Sequence, residues 1–348
     1  MTVNLNHTPA ILAEPSQMET YHDLVNRILT EGEDQFNERT GALCKVLIGT
    51  QVQLDLRKGF PALTARKVPF KSTLGEVLGF FRGVTSAKDF RELGCGFWDQ
   101  NANETKSWLA NPMRKGVDDL GPIYGKQWVN WEDVKLIQDT KENSDKIAHH
   151  YSLGYEHVGS YFDIGDVVNN KPSTTVLRRN INQLEEVVRK IMTDPSDRRI
   201  LFTGWNVGEL DMMALPPCHM TYTLTPMEAS KTLHITMTMR STDVFLGLPA
   251  NIMSTSIILA VIARMTGYTP ATVTIQMTNT HLYENSFDAA RELLDRFEYE
   301  SPKLVMSDRI QPLLSVDQIP GVFTRIEPSD VWLEDYEHGG VLSVPMMS

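Results

Sequence analysis

Residues 233–265 read LHITMTMRSTDVFLGLPANIMSTSIILAVIARM, and the hydrophobic period changes midway along this stretch. Over the first eight residues Leu233, Ile235, Met237 and Met239 alternate with His234, Thr236, Thr238 and Arg240, the period of a half-buried strand, so Arg240 belongs to its polar face. From about Asn251 to Met265 the spacing predicts a long helix, followed by a strand near Val273–Met277. GLPAN (247–251), with Gly247 and Pro249, forms the turn between strand and helix. There Asn251 is either a helix cap or, through an amide that donates and accepts at once, a reader of a base edge. Upstream, Tyr21, Leu24, Val25, Ile28 and Leu29 recur at helical spacing until Gly32. Ser72 is expected to cap a second helix with the stripe Leu74, Val77, Leu78 and Phe81. Another face of that helix sets Glu76 beside Gly79, Phe80 and Gly83, a carboxylate next to two positions without side chains. A further helix is expected through Ile181, Leu184, Val187, Val188 and Ile191.

Residues 1–19 lack periodicity and read as a loose arm. Residues 133–176, including KENSDKIAHHYSLGYEHVGSYFDIGDVVNNKPS, are polar without a long period and read as a surface insertion. The remainder, 20–348, is expected to be a single α+β domain. At 348 residues, 41% hydrophobic and 22% charged, the chain has the balance of a globular protein with ample core. Its longest nearly apolar run, Ile257 to Ile262, is too short to cross a bilayer, and the polar N-terminus does not resemble a signal peptide. Cys44, Cys95 and Cys218 are too few and scattered for a disulfide framework, so a reducing cytoplasm is expected. The net charge of −11 argues against nucleic acid or anionic lipid as a partner; an anionic ligand needs arginines gathered locally.

Cys218, in ALPPCHM beside His219, is either a buried structural thiol or a nucleophile whose thiolate nearby cations favour. Arg39, Arg198, Arg199 and Arg240 are candidates for those cations. The planar guanidinium suits phosphate, although each also suits a surface salt bridge. His281 and Tyr283 alternate along a strand end, where they face one ligand or form a core pair. His149 and His150 have no carboxylate at ligand spacing, so no metal is expected. Adjacent strand residues point to opposite faces, which argues against Cys218 and His219 as a hydrolase dyad.

Seven segments in order, ERTGA, KGFPALTARK, LGPIYGKQW, DPSDRRI, WNVGELDMMALPPCH, RSTDVFLGLPANI and THLYEN, resemble the thymidylate synthase family over about residues 20–130 and 178–348. The resemblance implies an α/β fold of the α+β type: a mixed sheet with packed helices, forming an obligate homodimer by sheet stacking. It implies dUMP as substrate and 5,10-methylenetetrahydrofolate as one-carbon donor. Cys218 is then the nucleophile toward C6 of the pyrimidine. Arg39, Arg240 and Ser241 hold the 5′-phosphate, and Arg198 and Arg199 reach the partner's site. Asn251 reads O4 and N3 of uracil; Glu76 and Tyr124 move protons, and His219 counts among the catalytic residues. Asp243, Gly247, His281 and Tyr283 match nucleotide contacts. Trp98, Asp243, Leu246 and Arg66 match folate contacts, with Lys67 also near folate's glutamate tail.

The sequence departs from the synthase pattern where the product is decided. Gly79 stands where an indole is expected one turn from Glu76, Ala250 replaces a phenylalanine, Met239 a glutamine, Ser286 a histidine, and the tail ends VPMMS with Ser348 last. Asn279 stands where aspartate is commoner. Gly79, Ala250 and the polar tail are therefore expected to open a water route. The product is then 5-hydroxymethyl-dUMP, a deoxyuridylate hydroxymethylase activity that suits a virus with modified DNA and a host cytoplasm. The alternative is thymidylate synthase, with drift repacked by neighbours and retained Trp98 favouring hydride transfer. A regulatory binding protein without activity is the distant third reading.

Overall fold

The computed structural model describes residues 19–38, 40–161 and 172–345. Arg39, the arm to residue 18 and the tail residues 346–348, including Ser348, lie outside the described residues.

A six-stranded mixed sheet runs through β1 (Glu33–Asn37), β2 (Ala42–Asp55), β6 (Leu201–Thr203), β7 (His219–Met227), β8 (Thr232–Asp243) and β9 (Thr269–Tyr283). These lie in the order β1-β2-β9-β8-β7-β6. Among the described residues of this sheet only β8 and β9 pair in parallel, with Ser241 opposite Asn279 and Asp243 opposite His281; its other pairings are antiparallel. The alternation in β8 is realised: Leu233, Ile235, Met237 and Met239 are buried, while His234, Thr236, Thr238 and Arg240 are half-buried on the other face. That second face is polar and opens to solvent at Gln51, Gln53 and Gln276.

The helix Gly247–Thr266 lies against β8, β9 and the helix Phe70–Phe81 and is buried along most of its length. It is long and apolar enough to span a bilayer, but 83% of its apolar window is buried inside the protein, the state of a core helix. Asp243 Oδ1 accepts the N–H groups of Phe245 (2.8 Å) and Leu246 (3.2 Å), which turns the chain from β8 into the helix. Gly267 ends it in the left-handed region at φ 72°.

Two local expectations change. The second helix starts at Phe70, and its first bond runs from Thr73 N–H to the Pro69 carbonyl. Ser72 thus lies inside the first turn and caps nothing. Ile181 ends a strand, and Asn182 caps the following helix Gln183–Thr193 by accepting the Glu185 N–H at 3.1 Å. The polar insertion is ordered between β3 (Trp131–Gln138), β4 (Glu156–Tyr161) and β5 (Thr174–Ile181), a separate antiparallel sheet in the order β3-β5-β4 with the helix Ser144–Ser152. Trp131–Gln138 alternates half-buried and exposed positions, a period of two too polar to stand out in the sequence. Of the insertion, 162–171 lies outside the described residues.

Candidate active site

Cys218 sits just before β7 at the end of two prolines and is partly accessible. Arg240, on the adjacent β8, fastens this turn. Its Nε donates to the Pro217 carbonyl (3.0 Å), its Nη2 to the Pro216 carbonyl (2.9 Å) and, at 3.6 Å, to Cys218 Sγ. The backbone closes the same corner, with Arg240 N–H on the Cys218 carbonyl at 2.9 Å. A cation thus stands within hydrogen-bond reach of the sulfur, the environment a thiolate nucleophile needs.

From the other side, the Cys218 N–H donates to the Tyr124 hydroxyl at 2.7 Å. Tyr124 opens the short helix Tyr124–Val129, and Gly121 sets its approach. Gly121 has φ 68°, and a Cβ there would stand 1.9 Å from the Met212 carbonyl oxygen, so only glycine lets this loop press on the 212–214 segment. Burial and the neighbouring thiol push the Tyr124 phenol well above its ordinary range. The phenol therefore keeps its proton while its oxygen accepts from the cysteine backbone.

Glu76, on the helix Phe70–Phe81, is buried beside the Trp98 indole. Its Oε1 accepts the indole N–H of Trp98 at 3.1 Å. Desolvation raises the carboxyl to about 7, against the opposing effect of that hydrogen bond, so it can hold or release a proton near neutrality. Trp98 packs near Phe90, Phe80 stacks on Tyr124, and His219 lies 4.3 Å from the Tyr124 ring centre. The notch at Gly79 is not open. A Cβ at Gly79 would meet Phe90 Cε1 at 2.2 Å, and one at Gly83 would meet Val129 Cγ2 at 2.6 Å. The expected water route past Gly79 is therefore filled by Phe90, a residue the sequence reading did not single out. Ala250 is half-buried in the central helix.

His219 turns away from Cys218 into the core. Its Nδ1 meets the Tyr222 hydroxyl at 2.9 Å, and burial pushes the imidazole down to about 3, so it is neutral across the physiological range. A Cys–His dyad has no support in this arrangement.

Ser241 Oγ lies 3.4 Å from His281 Nδ1, which also meets Asn279 Oδ1 at 3.0 Å; the rings of His281 and Tyr283 touch at 5.0 Å. The parallel β8–β9 register brings these residues together. Asn251 occupies the second turn of its helix, not the cap, and its Oδ1 would lie 3.7 Å from a Cβ on Gly247. Its amide has no side-chain partner among the described residues and faces the side-chain-free Gly247. Asp243, which caps the turn through Oδ1, is raised to about 6 by desolvation.

Other expected contacts lie elsewhere. Arg66 is buried, donates to the Phe245 carbonyl and lies over the Phe245 ring at 4.5 Å, while Lys67 is exposed. Arg198 and Arg199 are both exposed on the turn before β6, and Arg199 pairs with Asp197 at 2.8 Å. The three cysteines are unbridged, and no group of potential metal ligands occurs among the described residues. Sequence reasoning also missed a polar network behind the 203–209 loop. Gln183 donates to the carbonyls of Gln127 (2.8 Å) and Thr203 (2.9 Å), and Asn206 donates to Gln127 Oε1 at 3.0 Å.

The family described as thymidylate synthase matches residues 19–348. A thymidylate synthase of Pseudomonas putida is 43% identical over 330 residues, 94% of this chain and 99% of the relative. One of Bordetella parapertussis is 40% identical with the same coverage of both chains, and one of Shewanella pealeana is 32% identical, again with that coverage.

Proposed function

The chain belongs to the thymidylate synthase family, and on that premise we propose that it converts dUMP to dTMP by reductive methylation. Cys218 attacks C6 of the uracil ring, placing the electron pair at C5 and its charge on O4. Arg240 supports the thiolate, and Tyr124, by accepting the Cys218 N–H, fixes the nucleophile while its own O–H remains to donate toward the base. Glu76, with a carboxyl near its midpoint at neutral pH, carries protons at O4 and C5. Asn251 reads the O4 and N3 edge with its open amide. Ser241, His281 and Tyr283 take the sugar and phosphate side. Arg39 belongs to the same phosphate set by its motif.

5,10-Methylenetetrahydrofolate supplies the carbon and the hydride when bound. The residues suit it chemically: Asp243 has an oxygen without a partner among the described residues, an acceptor for ring N–H groups, and Trp98 and Leu246 offer apolar surface. Arg66, held inside on Phe245, leaves Lys67 as the exposed cation for a glutamate tail. Gly247 leaves room beside the base, and neutral His219 backs the Tyr124 ring from the core. Exposed Arg198 and Arg199 reach a second subunit's phosphate in a homodimer stacked through the uncovered face of the six-stranded sheet. The unbridged thiols fit a reducing cytoplasm.

One observation favours the methyl product over the hydroxymethyl product: the Phe90 ring occupies the space at Gly79, so the missing indole leaves no open notch there. The named relatives point the same way. The test is the ratio of dihydrofolate formed to dUMP consumed by the purified protein. One dihydrofolate per dUMP is expected. Consumption without dihydrofolate, giving a product heavier by a hydroxymethyl group, would overturn the reading.

A further inference from the structure

Phe90 comes from a different helix, Ala87–Glu92, yet its ring lies where a side chain of residue 79 would begin. It is fully buried. It meets Phe80 edge-on (5.7 Å, 81°) and lies nearly parallel to Trp98 (5.8 Å, 25°), whose indole N–H donates to Glu76. Phe80 in turn stacks on Tyr124 (5.3 Å, 19°), the residue that holds the Cys218 N–H. One ring therefore backs two lines of contact, through Trp98 to the acid and through Phe80 and Tyr124 to the nucleophile. Packed interiors transmit such contacts because a neighbour cannot move without displacing the next.

We propose that Phe90 is a positioning residue for the reaction, a cross-helix replacement for the side chain missing at Gly79, which fixes the Trp98 indole on Glu76 and keeps water from the carboxyl. What the site needs is a ring in that space, whichever helix supplies it. The proposal rests on the reading of Glu76 as proton carrier in dTMP formation. Loss of the ring solvates Glu76, and the lost desolvation, the larger effect, lowers the pH at which the carboxyl ionises by more than a loosened indole hydrogen bond raises it. The titratable groups that feel Glu76 are Cys95, pushed up to about 12 by burial, and Tyr222, raised well above its ordinary range. Neither produces a change near neutrality.

The test compares wild type, Phe90→Ala, Phe90→Leu and the double exchange Gly79→Phe with Phe90→Ala, a swap that moves the phenyl from one helix to the other at nearly constant volume. Phe90→Ala is expected to lower kcat by on the order of 10²-fold with little change in KM for dUMP. The Glu76 limb of the pH profile shifts to lower pH, and some product becomes 5-hydroxymethyl-dUMP. The double exchange is expected to move the pH limb and product ratio back toward wild type. Should Phe90→Ala not fold, Phe90→Leu keeps apolar bulk without a ring to lie along Trp98 and is expected to show the same two changes. A folded Phe90→Ala or Phe90→Leu that loses only thermal stability, with pH limb and product ratio unchanged, overturns the proposal. A wild type that forms no dTMP overturns instead the function on which it rests.

Discussion

Around Glu76, folding alone completes the environment. The Glu76 carboxyl is buried, its hydrogen bond comes from Trp98 within the chain, and Phe80, Phe90 and Tyr124 pack round that indole. At Arg198 and Arg199, on the turn before β6, two guanidiniums stand in solvent, and Arg199, 83% exposed, pairs with Asp197 and also feels Asp194. The two regions carry opposite consequences. Changes around Glu76 disturb packing and proton chemistry together, whereas changes at the arginine turn leave the fold alone and act only on an anion that arrives from outside.

The largest expected effect lies at Cys218, where nucleophile and cation meet. Cys218→Ala is expected to lower turnover by roughly 10⁴-fold or more while the melting temperature barely moves, and 5-fluoro-dUMP with folate no longer labels the protein. Glu76→Gln comes next, with turnover reduced about 10²–10⁴-fold. It also separates the regions by pH. The folded chain keeps the Glu76 proton up to about 7, whereas an unfolded carboxyl releases it near 4.5. Stability from that proton is fully present below about 4.5 and is lost as pH rises to 7. His219 slopes the other way: held down to about 3 from 6.5, it costs stability as pH falls through that window. Melting temperatures of Glu76→Gln between pH 4.5 and 8 are therefore expected to fall less steeply than those of wild type. Asp243, raised to about 6, keeps part of the decline.

Arg198→Ala or Arg199→Ala is expected to raise the KM for dUMP about 10–100-fold, the loss of a charge-assisted contact, with stability within about 0.5 kcal/mol of wild type. Equal losses of stability at both ends would erase the contrast. Gly79→Ala has the smallest effect on turnover yet sharpens the comparison. Its methyl would stand 2.2 Å from the Phe90 ring, so a loss of about 1–3 kcal/mol by denaturant unfolding is expected.

Strong periodic patterns were legible in the sequence. The alternation of Leu233–Arg240 gives β8, and the apolar run after GLPAN gives the buried helix, because burial on one face or all round leaves a matching period. The ordered motifs gave the family, and with it four candidate arginines for Cys218, of which the structure sets Arg240 beside the sulfur. What the sequence could not reveal depended on contacts between distant segments. Nothing in Ala87–Glu92 announces that Phe90 enters the space beside Gly79, and the missing indole therefore read as a gap. The insertion showed no strand period because its strands bury little: even Leu136 and Val158 stay exposed on its sheet. Arg66 read as a folate contact from the matched family segment, while its place inside, on Phe245, follows from the fold alone.

The central claim is that hydride, not water, reaches the one-carbon unit after its transfer to C5. The most direct measurement uses methylenetetrahydrofolate carrying deuterium at the transferable hydride position and weighs the nucleotide product by mass spectrometry. A methyl group bearing one deuterium, with dihydrofolate released alongside, is the predicted result. A hydroxymethyl group without deuterium, with the label retained on tetrahydrofolate, would contradict it.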